Sequence, residues 1–159
     1  MTISVGDRIP EIPLTIATPD GPQQPTSSEY FTGRRVALFA VPGAFTPTCS
    51  VRHLPSYVEK AAELKAKGID EIACTAVNDS FVMAAWGERD GSSGVTMLAD
   101  GNGDFAEAIG VATDSSRFGM GKRSRRYSMV VADGVVEQLH LEQPGEYRAS
   151  SAEHLLEQL

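Results

Sequence analysis

The segment RVALFAV (35–41) places six apolar side chains in a row after its arginine, and no other feature limits the fold so tightly. A half-exposed strand alternates polar and apolar residues, and a helix is rarely this short, so the run reads as a strand covered on both faces. The stretch PGAFTPTCS (42–50) that follows crowds two prolines, a glycine and two threonines around a cysteine. Thr46 and Pro47 read as a helix N-cap followed by proline at the first helical position, where a missing N–H is harmless. Val51, Leu54, Val58, Ala61 and Leu64 then recur at helical spacing, and Gly68 is the expected stop. Pro55 falls inside this helix, cannot donate to the Val51 carbonyl, and should kink it.

The same alternation continues down the chain. IDEIACTAV (69–77) and VTMLAD (95–100) read as strands, and FVMAAWGER (81–89), capped by Asn78 or Asp79, reads as a helix, as does GDFAEAIG (103–110). SRRYSMVVADGVVEQLHL (124–141) folds about Asp133-Gly134 as a hairpin. SSAEHLLEQL (150–159) opens with Ser150 and Glu153 at capping-box spacing and closes as an amphipathic helix. Ahead of the first strand, GPQQPTSS (21–28) reads as a loop. The order predicts an α/β protein with a mixed central sheet, a thioredoxin-like layout with an N-terminal extension, in a single domain over residues 1–159.

A net charge of −7 argues against a general nucleic-acid or anionic-membrane binder, and no segment approaches the roughly 20 apolar residues of a bilayer span. The N-terminus lacks the apolar core of a secretory signal. Two cysteines do not build a disulfide scaffold, so a reducing, cytoplasmic setting is expected.

Cys49 would be the third residue of its helix, within the first turn, where free backbone N–H groups and the positive end of the dipole favour an anion. The Thr46 hydroxyl can donate to the sulfur or to a substrate, while Pro42 and Pro47 stiffen the loop and shield the site. A thiolate also wants a permanent cation, and KRSRR (122–126) supplies four of the fourteen basic residues. Arg126 shares one face of the following strand with Ser128 and Val130, and an arginine on a half-buried face needs an anion nearby. The competing readings are a small apolar residue that happens to be cysteine, and a solvated basic strand end. Cys74 reads as a buried small hydrophobe on a central strand. His53, four residues after Cys49, reads as a packing or supporting residue, since two ligands make no metal site. Trp86 belongs to the core or an interface, His140 and His154 to the surface. Phe118 and Met120 line either the substrate pocket or a subunit contact.

Pro42, Thr46 and Cys49 stand in the pattern P-x-x-x-T-x-x-C, which resembles the active-site signature of the peroxiredoxins. VPGAFTPTCS, HLPSYVEKAAELKAKGID, CTAVNDSFVMAAWG, LAD and SMVVADG resemble the type II, or peroxiredoxin-V-like, subgroup over most of the chain. The resemblance implies that Cys49 is the peroxidatic nucleophile and passes through a sulfenic acid while reducing hydrogen peroxide and organic hydroperoxides. It implies that Thr46 binds peroxide oxygen, Pro42 shields the sulfur and Arg126 stabilises developing charge, with no metal or organic cofactor. It also implies a homodimer. Some relatives place a resolving cysteine before the last helix, and YRASSAEHLLEQL (147–159) has none. That departure implies a one-cysteine route, with an external thiol, glutathione with glutaredoxin or thioredoxin, restoring Cys49; some relatives have been proposed to use a thiol at the position of Cys74. A thiol–disulfide oxidoreductase is disfavoured because TPTCS contains no C-x-x-C. A redox sensor or binding domain without turnover is the remaining alternative.

Overall fold

The structure is a computed structural model that describes residues 1–90 and 94–159. In chain order it comprises β1 (Ile16–Ala17), α1 (Ser27–Phe31), β2 (Arg35–Ala40), α2 (Leu54–Ala66), β3 (Glu71–Ala76), α3 (Ser80–Arg89), β4 (Thr96–Ala99), α4 (Asp104–Ala108), β5 (Ala112–Asp114), β6 (Lys122–Ser124), β7 (Tyr127–Ala132), β8 (Val135–Leu141) and α5 (Ala152–Glu157). Six strands form one mixed sheet in the order β1-β4-β3-β2-β7-β8, and β5 and β6 form a separate ribbon. The β2–β3 and β3–β4 pairs are parallel, whereas β1, β7 and β8 run antiparallel to their neighbours. This is the thioredoxin-like α/β architecture that the alternation of elements predicts.

The apolar run of β2 is explained by its central place. Val36, Leu38 and Ala40 join a core on one face with Tyr30 and Phe31 of α1 and Phe105 of α4. Ala37, Phe39 and Val41 face the other core, packed under α2, α3 and α5. There Phe39 stacks on Tyr57 with ring centroids 4.0 Å apart, a contact that adds roughly 0.5–1.5 kcal/mol to burial alone. The hairpin turns at Asp133 and Gly134, both at positive φ, with a register shift between Val130 and Val131. Gly68, at φ +95°, ends α2: the Ile69 N–H reaches back to the Leu64 carbonyl at 3.2 Å.

Three expectations are corrected. The chain from 21 to 28 is not all loop: Thr26 and Glu29 form a reciprocal capping box that starts α1, a T-x-x-E signal present in the sequence. The last helix is capped by Ser151 rather than Ser150, because the Ser150 side chain is drawn to Glu142 instead. His140 and His154 are partly buried and pack edge to face, with ring centroids 4.8 Å apart.

Candidate active site

The helix bearing Cys49 does begin at Pro47, and the Ser50 N–H bonds the Thr46 carbonyl at 2.9 Å. From Cys49 to His53 the helix widens into a π turn, with the Leu54 N–H reaching the Cys49 carbonyl five residues back. The cause lies in Pro55, which has no N–H to offer. The ladder re-registers before it, and Pro55 then sits in the first turn of α2, where that lack is harmless. The proline expected to kink the helix thus produces a bulge beside the cysteine, and such bulges are concentrated at functional sites.

Cys49 is buried, with no exposed surface. Its sulfur receives a hydrogen bond from Arg126 Nη2 at 3.2 Å, and Arg126 Nη1 meets His53 Nδ1 at 2.8 Å. One planar fork therefore holds both the thiol and the imidazole. His53 Nε2 lies 3.0 Å from the Ser150 carbonyl, which can only accept, so Nε2 carries the proton and Nδ1 is the bare acceptor that Arg126 needs. The Tyr57 hydroxyl donates to the same carbonyl at 2.9 Å. Ser150 is in turn fixed by Glu142, whose Oε2 accepts from the Ser150 N–H and hydroxyl and from the Arg148 N–H. Burial alone would raise the Glu142 pKa, but these donors more than offset it and hold the carboxyl below its usual range.

Burial, reinforced by the Arg126 charge, pushes His53 down to about 3, so it is neutral at any ordinary pH. The unfolded chain protonates this residue near pH 6.5, which makes the unfolded state bind more protons on the acid side. Its stabilising share is full above about pH 6.5 and is lost as pH falls toward 3, at up to ~1.4 kcal/mol per pH unit. Urea unfolding between pH 7 and 4.5 is expected to show a steeper acid loss for the native chain than for His53→Gln, which keeps a donor and an acceptor but does not titrate. Parallel profiles would mean that His53 is not buried in its neutral form.

The KRSRR segment is not a uniformly solvated strand end. Lys122 pairs with Glu107. Arg123 donates to the carbonyls of Met120, Pro42 and Val77, tying the loop after β2 to the ribbon. Arg125 donates to the Glu142 carbonyl at 3.1 Å. Gly43 lets these parts approach closely, since a Cβ there would lie 3.2 Å from atoms of Arg123, Met120 and Thr46. Phe45, at φ +66°, carries its ring outward beneath the Arg89 guanidinium.

Thr46 is placed beside the turn as expected, with one change of role. Its hydroxyl donates to the Gly43 carbonyl at 2.7 Å, so the proton is committed and the oxygen is left to accept. Pro42 and Arg126 line a cavity of about 530 Å³, together with Phe118 and Met120. Cys74 is not brought into this network. It is buried on β3, in register with Phe39 and Met97, and burial pushes its thiol well above the usual value. Trp86 is core, its indole N–H donating to the Ser50 hydroxyl at 2.9 Å. Among the described residues no group of three or more His, Cys, Asp and Glu is arranged to hold a metal ion, and no helix is long and apolar enough to cross a membrane.

The residues that sequence reasoning missed are Tyr57, Glu142 and Ser150. Tyr57 had a signal, standing four residues after His53 on one helix face; the other two had none, because they meet the site only through the fold.

A lone arginine-held thiol at a helix start on a thioredoxin-like sheet, without C-x-x-C, defines a cysteine-based redox protein of the peroxide-reducing class. The Redoxin family matches residues 4–156. Peroxiredoxin-2E-2, chloroplastic, of Oryza sativa subsp. japonica is 51% identical over 164 residues, covering 99% of this chain and 73% of the relative. Peroxiredoxin-2B of Arabidopsis thaliana is 42% identical and covers 99% and 98%. The crystal structure of reduced Prx3 in complex with hydrogen peroxide from Vibrio vulnificus superposes with a TM-score of 0.95 at 46% identity, covering 99% of each chain. The chain belongs to the redoxin family as a peroxiredoxin, a thiol-dependent peroxidase.

Proposed function

We propose that this peroxidase works as one domain over residues 1–159, with Cys49 as the nucleophile toward hydrogen peroxide and organic hydroperoxides. The observation that carries the assignment is the Arg126 fork, with Nη2 on the Cys49 sulfur at 3.2 Å and Nη1 on His53 at 2.8 Å. The sulfur attacks the terminal peroxide oxygen, the O–O bond breaks, and the departing oxygen takes up a proton and leaves as water or alcohol. Sulfur is oxidised to the sulfenic acid and the peroxide is reduced. Arg126, aimed at the reacting centre and held there by His53, stabilises the sulfur anion and the charge that develops on the leaving oxygen. Thr46 accepts from the peroxide O–H through the oxygen that its bond to Gly43 leaves free, and Pro42 walls the sulfur from solvent.

Regeneration follows a one-cysteine route through an external thiol, either glutathione with glutaredoxin or thioredoxin. Two things support it: the last 13 residues hold no cysteine, and Cys74 is a buried thiol that burial keeps in its unreactive protonated form. A homodimer is supported by the exposed rings of Phe45 and Phe81, near the active-site loop and on α3. A reducing, cytoplasm-like compartment suits two free thiols.

Intact-mass analysis after one equivalent of hydrogen peroxide tests this route. The expected product gains one oxygen, or one small-thiol adduct when glutathione is present, and turns over with at least one of the two reductant systems tried separately. A dominant species lighter by two hydrogens would be a Cys49–Cys74 disulfide and would overturn the one-cysteine route.

A further inference from the structure

The cavity lined by Arg126, which bonds the Cys49 sulfur, carries four guanidiniums against three carboxylates in a protein whose net charge is −7. Arg52, Arg117, Arg125 and Arg126 all line it. The carboxylates in its wall, Asp114, Glu142 and Glu146, find their side-chain partners elsewhere than on these four guanidiniums. Asp114 accepts from the Ser116 N–H at 2.8 Å and from its hydroxyl, Glu142 takes the donors of Arg148 and Ser150, and Glu146 faces Arg148 at 3.8 Å. Among the described residues, none of the four guanidiniums forms an ion pair with a carboxylate. Arg126 is engaged by Cys49 and His53, and Arg125 donates to the Glu142 carbonyl.

Arg52 and Arg117 remain. Each guanidinium lies over an aromatic ring, Arg52 4.6 Å from the centre of Tyr147 and Arg117 4.9 Å from that of Phe118. Stacking occupies the flat face of a guanidinium and leaves its N–H edge available for a carboxylate. The same two rings, with Met120 and Pro144, supply apolar wall in this cavity, where Arg52 and Arg117 are exposed and Arg126 is half-buried. Two guanidinium edges without a carboxylate partner attract an incoming anion locally, and salt screens that attraction.

We propose that the organic substrate favoured here is an amphipathic acid hydroperoxide, with its carboxylate on Arg52 and Arg117, its apolar stem along Phe118, Met120 and Tyr147, and its hydroperoxide at Cys49. The inference rests on Cys49 being the nucleophile. The Cys49 sulfur takes the terminal oxygen, the O–O bond breaks, and the stem leaves as the hydroxy acid after protonation. The sulfenic acid is reduced by the external thiol as for any other peroxide. A carboxylate-bearing thiol such as glutathione offers the same anion, so the two half-reactions are measured apart.

The experiment is stopped-flow oxidation of the reduced protein, read by its sole tryptophan, which bonds Ser50 next to the nucleophile. The probes are linoleic acid hydroperoxide, its neutral methyl ester, both below micelle formation, and hydrogen peroxide. The acid is expected to react about tenfold faster than the ester at low salt, with most of that advantage lost at about 0.5 M salt. In an Arg52→Gln/Arg117→Gln variant the acid-to-ester ratio is expected to fall to near unity, and the salt series on the native chain gives the same answer without substitution. Equal rates for acid and ester in the native chain would overturn the proposal. So would a variant in which only sulfenic acid reduction by glutathione slows. Failure of hydrogen peroxide itself to oxidise Cys49 would instead bring down the nucleophile assignment, and this inference with it.

Discussion

Cys49→Ser is expected to bring peroxide-dependent turnover down to background, a loss of roughly a thousandfold or more, while the protein stays folded. A hydroxyl is almost never ionised near neutral pH, so the nucleophile is gone although the shape is nearly kept. The fold tolerates the change because the new oxygen inherits the Arg126 Nη2 donor now on the sulfur at 3.2 Å, which avoids an unpartnered buried hydroxyl. Cys74→Ser is the informative contrast. It places a hydroxyl in the core of β3, outside the hydrogen bonds of the Arg126 fork, so stability should fall while turnover persists. Turnover assays of both variants, with circular dichroism and urea unfolding beside them, check the pair. Full activity in Cys49→Ser would end the mechanism proposed here.

Arg126→Ala is expected to cut the second-order rate with hydrogen peroxide about 10²- to 10³-fold, the range seen when a preorganised donor on developing charge is removed. The substitution also strands His53, a fully buried residue whose Nδ1 accepts from Arg126 at 2.8 Å. A buried acceptor left without a donor adds about 1–3 kcal/mol of lost stability. Arg126→Lys separates charge from geometry. One ammonium cannot serve a sulfur and an imidazole in two directions as a planar fork does, so lysine should recover only part of the rate. Stopped-flow kinetics of the three proteins at neutral pH decide the matter; an unchanged alanine variant would remove Arg126 from the mechanism.

The central sheet was legible because β2 must be covered on both faces, and only a middle strand between two helix layers satisfies that. Cys49 and Arg126 were legible for a related reason: each is a chemically demanding side chain beside a buried strand, Cys49 in the first helical turn after β2 and Arg126 directly ahead of β7. The early part of the chain was harder. β1 is two residues long, and α1, at five, is too short to show a period, although the Thr26–Glu29 box marks its start. The π turn was half visible, since Pro55 announced a defect but not its form. The route from Arg126 through His53 to Ser150 and Glu142 left no trace in the sequence, because its partners are matched only after the hairpin and the last helix have docked.

That route sets the order in which the enzyme is finished. The Cys49 sulfur meets Arg126 across 77 positions, His53 meets Arg126 across 73, and His53 meets Ser150 across 97. During synthesis the thiol therefore emerges long before the guanidinium that holds it, and the carbonyl that orients the imidazole comes later still. Contacts so distant in sequence close late in folding, after local helices and turns. A nascent or half-folded chain thus carries an ordinary cysteine, and a peroxidase exists only once its far end is in place.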